Sequence, residues 1–217
     1  MVLSTETLHQ TWTELEASVK SAGNLKIGIL GGAFNPPHMG HLLLAEQVCS
    51  QLELDEVWFM PVAQRHYEQE GTDVPVIHRL QMVQLAIQDN ARFRLQPYEL
   101  LHGGKQFTVD TMRYFRQLFP EAQFYYLMGE DRAQKLGKWK EIEQLEQLVT
   151  FVAMKPIGTP TVETDVPVQW IEAPTMSIHS TDIRLRTFCD LSIRYQVPQA
   201  VAEYIAEHQL YQGFHLG

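Results

Sequence analysis

Apolar positions along the chain fall into two alternating rhythms. Leu8, Trp12, Leu15 and Val19 recur at steps of four, three and four, the spacing of one helix face. Ser4 or Thr5 can cap that helix and Gly23 can end it. From Lys26 onward short apolar runs alternate with amphipathic ones. "KIGIL", "EVWFMPV", "RFRLQP", "QFYYLMG", "VTFVAMKP" and "VQWIEAP" predict strands. "HLLLAEQVCSQL", "HRLQMVQLAIQD", "FTVDTMRYFRQLF" (stopped by Pro120), "DRAQKLGKWKEIEQLEQL" (mostly helix), "STDIRLRTFC" and "VPQAVAEYIAEHQLY" predict helices, with Pro198 in the first turn of the last. Polar stretches, the longest from Ala63 to Val76, connect them. Strands in alternation with helices imply an α/β fold: a Rossmann-like, doubly wound parallel sheet with helices on both faces and right-handed crossovers. The extra N-terminal helix gives residues 1–24 as an extension and 25–217 as the main domain. Ligands of such sheets bind beyond the carboxyl ends of the strands, near a switch point.

The first strand–helix junction, "GILGGAFNPPHMGHLLL", is unusual. Gly31 and Gly32 follow the strand, where glycines permit uncommon φ values and close approach of a ligand to the backbone. Pro36 and Pro37 stiffen the turn. The helix begins near Met39 or Gly40, so free N–H groups and the positive dipole end face the loop and favour an anion. His38 and His41, three apart, can face one side and donate to phosphate oxygens. Two other readings stay open: histidines that only cap or pack, and a His-x-x-His metal site, which lacks an evident third ligand. The segment is neither a Walker loop nor a G-x-G-x-x-G fingerprint.

A second junction, "TMSIHSTDIRLR", places Ser180 and Thr181 as helix caps, Asp182 in the first turn, and Arg184 on the same face. An arginine there opposes the dipole and suits a polyphosphate. The alternative is an ordinary cap with a salt bridge from Arg184 to Asp182 or Glu172.

Bulk properties narrow the partners. A chain of 217 residues, 45% hydrophobic and 20% charged, is globular. Its formal charge of −9 and pI of about 5.4 weigh against nucleic acid and anionic membranes. The two cysteines, Cys49 and Cys189, are read as buried free thiols. An acidic, amphipathic N-terminus is not a signal peptide, and no run approaches the ~20 apolar residues of a membrane span. A soluble, cytoplasmic protein is expected. A homo-oligomer is compatible with the sequence.

The two junctions together resemble the nucleotidyltransferase superfamily with the HxGH signature, and within it the bacterial nicotinate-nucleotide adenylyltransferase family. The first family motif, G-G-x-F-[DN]-P-x-H-x-G-H, meets "GGAFNPPHMGH"; the second, I-S-S-T-x-I-R, meets "IHSTDIR". "HRLQMVQLAI", "FTVDTMRYFR", "LMGEDRAQKLGKWKEIEQL" and "SIRYQVPQAVAEYIAEHQLY" extend the likeness from about Lys26 to Tyr211. The resemblance implies transfer of AMP from ATP to nicotinate mononucleotide, yielding deamido-NAD and pyrophosphate in NAD biosynthesis. It implies that His38, His41 and Arg184 carry catalysis. Gly31, Gly32, Ala33, Phe34, Gly40, Ser180, Thr181 and Asp131 would bind ATP, with Mg²⁺ held mainly by the phosphates and no metal ligand in the protein. Thr108, Val109, Trp139 and Asn35 would meet the acceptor, Trp139 stacking on its pyridine ring. The sequence departs from the family at Asn35 (often Asp), His179 (Ser) and Phe107 (Tyr), and it lacks an "NPPHK" loop, whose cationic role falls to Arg65 or His66. The rival readings are the same chemistry on nicotinamide mononucleotide or phosphopantetheine, a non-catalytic nucleotide-binding regulator, and an RNA-binding relative of tRNA synthetases.

Overall fold

A computed structural model describes residues 4–63, 74–103 and 107–213. Helix α1 (Thr5–Ala22) is capped by Ser4, whose hydroxyl accepts from the Thr7 N–H at 3.1 Å; it stops at Gly23, whose φ is +77°. Its stripe of Leu8, Trp12, Leu15 and Val19 is buried, and the Trp12 ring lies 6.0–6.1 Å from Tyr98 and Phe115. The leading helix therefore shares the core of the sheet it precedes.

The rest runs β1 (Lys26–Gly32), α2 (Met39–Gln51), β2 (Glu56–Pro61), α3 (Val76–Ile87), β3 (Phe93–Leu95), α4 (Tyr98–His102), α5 (Thr108–Leu118), β4 (Gln123–Gly129), α6 (Glu130–Ala133), a 3₁₀ turn (Leu136–Lys138), α7 (Ile142–Leu148), β5 (Thr150–Pro156), β6 (Gln169–Ala173), α8 (Ser180–Phe188) and α9 (Gln199–Glu207). Six strands form one parallel sheet in the order β3-β2-β1-β4-β5-β6. Alternation along each strand sorts the side chains to two cores. Ile27, Ile29, Trp58, Phe124 and Tyr126 face α1, α5 and α7. Leu30, Val57, Phe59, Leu127 and Val152 face α2 and α3. Both faces are covered, as the near-continuous apolar strands require.

The strand order reverses direction between β1 and β4. Pairing of β1 with β2 continues to Gly32↔Pro61, whereas pairing with β4 ends at Ile29↔Tyr126. The two central strands thus part at their carboxyl ends and leave the crevice in which open α/β sheets bind ligands.

The structure adds to or corrects the expectations at four places. Residues 131–148, expected to be mostly helix, are so in three separate pieces, α6, the 3₁₀ turn and α7, with Trp139 extended and Glu141 at φ 52° between them. Trp139 packs edge-on against Tyr126 and Phe151, and that tertiary packing overrides the helical propensity of the run. Helix α4 follows the short third strand and was not foreseen. Pro198 is the N-cap of α9 rather than a first-turn residue. Cys189, at the end of α8, is exposed, while Cys49 is buried.

Candidate active site

The loop from Ala33 to His38 leaves β1 at the crevice and enters α2. Gly31 and Gly32 are still extended strand with no positive φ, so conformational freedom is not their use. Gly31 serves close approach instead, because a Cβ there would collide with the Tyr126 hydroxyl. The residue that does adopt positive φ is Phe34, at 47°. Its ring is 1% exposed and lies 5.8 Å from Phe59 and 5.0 Å from His41, so packing holds a backbone conformation that non-glycine residues rarely adopt.

His38 is the N-cap of α2 and donates its N–H to His41 Nδ1 at 3.2 Å. The two rings are tilted by 30° with centroids 3.7 Å apart. Because Nδ1 of His41 accepts, its proton resides on Nε2, leaving a neutral imidazole with one remaining donor. Burial, and then the neighbouring His179, lower His38 to about 4. Burial, then His38 and Arg132, hold His41 well below the usual histidine range. Gly40 lets the His38 ring lie over the helix start, since a Cβ there would sit 3.1 Å from His38 Nδ1.

The second junction grips this same loop. Arg184, 6% exposed, donates to the Asn35 carbonyl at 2.8 Å and to Thr181 Oγ1 at 3.3 Å. Ser180 Oγ donates to the Pro36 carbonyl at 2.9 Å, and the Met39 N–H reaches the Gln196 carbonyl at 2.9 Å. The two motifs therefore converge on one segment. His179, not Ser180 or Thr181, is the N-cap of α8. Glu172 pairs with Lys155 at 2.8 Å. Asn35, expected among the acceptor contacts, is 1% exposed and turned inward; its Oδ1 accepts from Tyr211 at 2.8 Å. It is thereby a loop-holding side chain, which explains how an amide serves where a carboxylate is common.

The other residues expected to meet the acceptor, Thr108, Val109 and Trp139, gather around Tyr126. Thr108 opens α5 and hydrogen-bonds the buried Tyr126 hydroxyl; Val109 is buried beside it. Trp139 stands edge-on to Tyr126 at 5.3 Å. Asp131 is exposed in the four-residue α6. The expected roles of Arg65 and His66 fall outside the described residues.

Three contributors were missed by sequence reasoning. Arg79, 4% exposed, donates to the carbonyls of Ala33 (2.8 Å) and Val62 (2.9 Å), tying the β1 loop to the end of β2. Glu99, 5% exposed, accepts from the Ala63 N–H at 3.3 Å; burial lifts its carboxyl to about 7. Tyr211 holds Asn35. A charged residue inside the apolar helix "HRLQMVQLAI" was the only available hint, and it pointed to Arg79.

These protonation states predict acid sensitivity. An unfolded histidine takes up its proton near pH 6.5, folded His38 only near 4. The stability contributed by neutral His38 is complete above pH 6.5 and is lost as pH falls toward 4, by about 3 kcal/mol. Glu99 acts oppositely: its raised carboxyl favours the folded state in acid and costs stability as pH rises from 4.5 to 7. Urea unfolding of wild type and His38→Asn at pH 7 and pH 4.5 isolates the histidine. Wild type should lose more stability across that interval; equal losses would contradict the assignment.

Residues 29–186 match the family model described as Cytidylyltransferase-like. Over 208 residues the chain is 46% identical to a probable nicotinate-nucleotide adenylyltransferase of Lactiplantibacillus plantarum, covering 95% of this chain and 98% of that one. It is 37% identical over 187 residues to the nicotinate-nucleotide adenylyltransferase of Bacillus subtilis, covering 86% and 98%. Among solved structures, a Plasmodium falciparum nicotinic acid mononucleotide adenylyltransferase complexed with NaAD shares the fold, with a TM-score of 0.74 at 20% identity over 88% of this chain and 99% of that one. The chain belongs to the cytidylyltransferase-like family and, within it, to the nicotinate-nucleotide adenylyltransferases.

Proposed function

We propose that the protein transfers AMP from ATP to nicotinate mononucleotide, forming deamido-NAD and releasing pyrophosphate in NAD biosynthesis. The observation that carries this reading is the convergence of both motifs on one loop at the switch point. Arg184 and Ser180 bond the carbonyls of Asn35 and Pro36, so the α8 start is tied to the loop that leads into the His38–His41 pair. Relatives at 37–46% identity bear the name of this activity.

On this reading the backbone from Gly31 to Phe34, with Gly40, lines the path of the adenylate. A phosphate oxygen of the acceptor attacks the α-phosphorus of ATP in line, that P–O bond forms, and the bond to the β-phosphate oxygen breaks. No covalent enzyme intermediate is required, so the protein contributes positioning and charge stabilisation. Nε2–H of His41, with His38 and the α2 amino terminus beside it, serves the charge that builds on the transferring and leaving oxygens. The half-buried Ser180, the exposed Thr181 and Arg184 serve the departing pyrophosphate. Mg²⁺, when bound, would be held mainly by the triphosphate oxygens and would offset their charge. Among the described residues no group of three His, Cys, Asp or Glu side chains could hold a metal. Thr108 and Val109 present the start of α5 to the nicotinate carboxylate, Trp139 presents its ring to the pyridine, and Asp131 stands beside the nucleotide. No described helix is long and apolar enough to cross a membrane; a cytoplasmic setting and a homo-oligomeric state belong to the proposal.

The test is pyrophosphate release by purified protein with ATP, Mg²⁺ and either nicotinate or nicotinamide mononucleotide. Turnover with a higher kcat/KM for nicotinate mononucleotide is expected. ATP binding without turnover on either acceptor would overturn the reading in favour of a nucleotide-binding regulator.

A further inference from the structure

Neither junction contains Arg132, yet it lies in the crevice between them. Its Nη1 donates to the Gly31 carbonyl at 2.7 Å, at the end of β1 where pairing with β4 has ceased. Its guanidinium carbon stands 5.6 Å from the centre of the Trp139 ring. Its charge also reaches His41 and Tyr126, helping to hold both below where burial alone would put them. One cation thus bridges the reaction centre and the aromatic platform.

Among the described residues Arg132 forms no salt bridge with a carboxylate, and as a residue it is exposed. A guanidinium has five N–H donors in a fixed fork. One is committed to Gly31, and the fork remains suited to an oxyanion. A mononucleotide whose ring rests at Trp139 and whose phosphate reaches the α-phosphorus beside His41 must lay the span between them past this side chain. The ring itself is a pyridinium cation and is repelled by the guanidinium. The phosphate at the other end is the complementary charge.

We propose that Arg132 contacts the acceptor and grips the phosphate of the incoming mononucleotide between β1 and β4. The inference rests on the adenylyltransferase reading above. Arg132 then acts on the attacking nucleotide, while the two junction motifs act on ATP. The guanidinium leaves the Trp139 face as the pyridinium takes its place, keeping its anchor on Gly31.

Steady-state kinetics of Arg132→Gln and Arg132→Lys separate this role from a structural one. A charge-assisted hydrogen bond to phosphate is worth a loss of about 10–100-fold when deleted. Arg132→Gln should raise the KM for nicotinate mononucleotide by that factor and change the KM for ATP less than about threefold. Arg132→Lys, which keeps the charge without the fork, should fall between. The effect should be equal for nicotinamide mononucleotide, measured as KM or as an inhibition constant, because it carries the same phosphate. An unchanged acceptor KM, an equal rise for ATP, or a loss confined to the nicotinate acceptor would overturn the proposal; the last would mean that Arg132 reads the carboxylate. Should Arg132→Gln lower the thermal midpoint markedly, Arg132→Lys decides by the same split. An inactive wild type would instead defeat the adenylyltransferase reading itself.

Discussion

Replacing His41 with alanine is expected to reduce kcat for AMP transfer by about 10²–10³-fold, the loss typical of one preorganised donor to developing oxyanion charge. His41 is neutral, with Nδ1 engaged by the His38 N–H and the proton on Nε2. Alanine deletes that donor and leaves the helix start otherwise supported, because the His41 N–H still reaches the His38 carbonyl at 2.9 Å. ATP affinity measured by calorimetry should therefore change far less than kcat. His41→Asn offers a sharper comparison. Its side-chain oxygen can accept from His38 as Nδ1 does, but its amide does not reproduce the position of Nε2–H. A variant that binds ATP normally and turns over within tenfold of wild type would show that His41 only packs and caps.

Arg184→Ala should be the most damaging change to the whole protein. The guanidinium is buried and spends donors on the Asn35 carbonyl and Thr181. Removing it strands a buried carbonyl and opens a void at the base of the loop. The cost is about 2–3 kcal/mol, or roughly 4–12 °C in thermal midpoint for a chain of this size. Turnover should fall by at least the factor expected for His41→Ala, because the loop that carries the histidines loses its grip as well as a cation. Arg184→Lys distinguishes charge from shape. A single ammonium cannot serve Asn35 and Thr181 in the geometry of the fork, so the midpoint should recover in part while kcat stays at least tenfold low. A lysine variant indistinguishable from wild type would reduce Arg184 to a simple positive charge.

What the sequence disclosed and what it concealed follow from the range of the interactions. The stripe of α1, the strand–helix alternation and both junction motifs are patterns of neighbours within one or two turns, so they are legible before any packing is known. The parallel pairing followed from that alternation, whereas the order of the strands, set by contacts distant in sequence, did not. The break in residues 131–148 was hidden because it depends on Trp139 finding Tyr126 and Phe151, one on each neighbouring strand. The role of Asn35 was hidden for the same reason: its partner Tyr211 is distant in sequence and carries no motif. Arg79 and Arg132 show the limit most clearly. Each looks like an ordinary helix charge, and only the fold brings them to the carbonyls of Ala33 and Gly31.

The grip on the Ala33–Met39 segment has a consequence for how the molecule is made. Translation delivers this loop early, but the groups that clamp it, at Ser180, Arg184, Gln196 and Tyr211, leave the ribosome far later. A half-synthesised polypeptide would carry both imidazoles without the braces that set their direction. Competence therefore arrives late in synthesis, when those braces close on the loop, rather than growing in step with chain length.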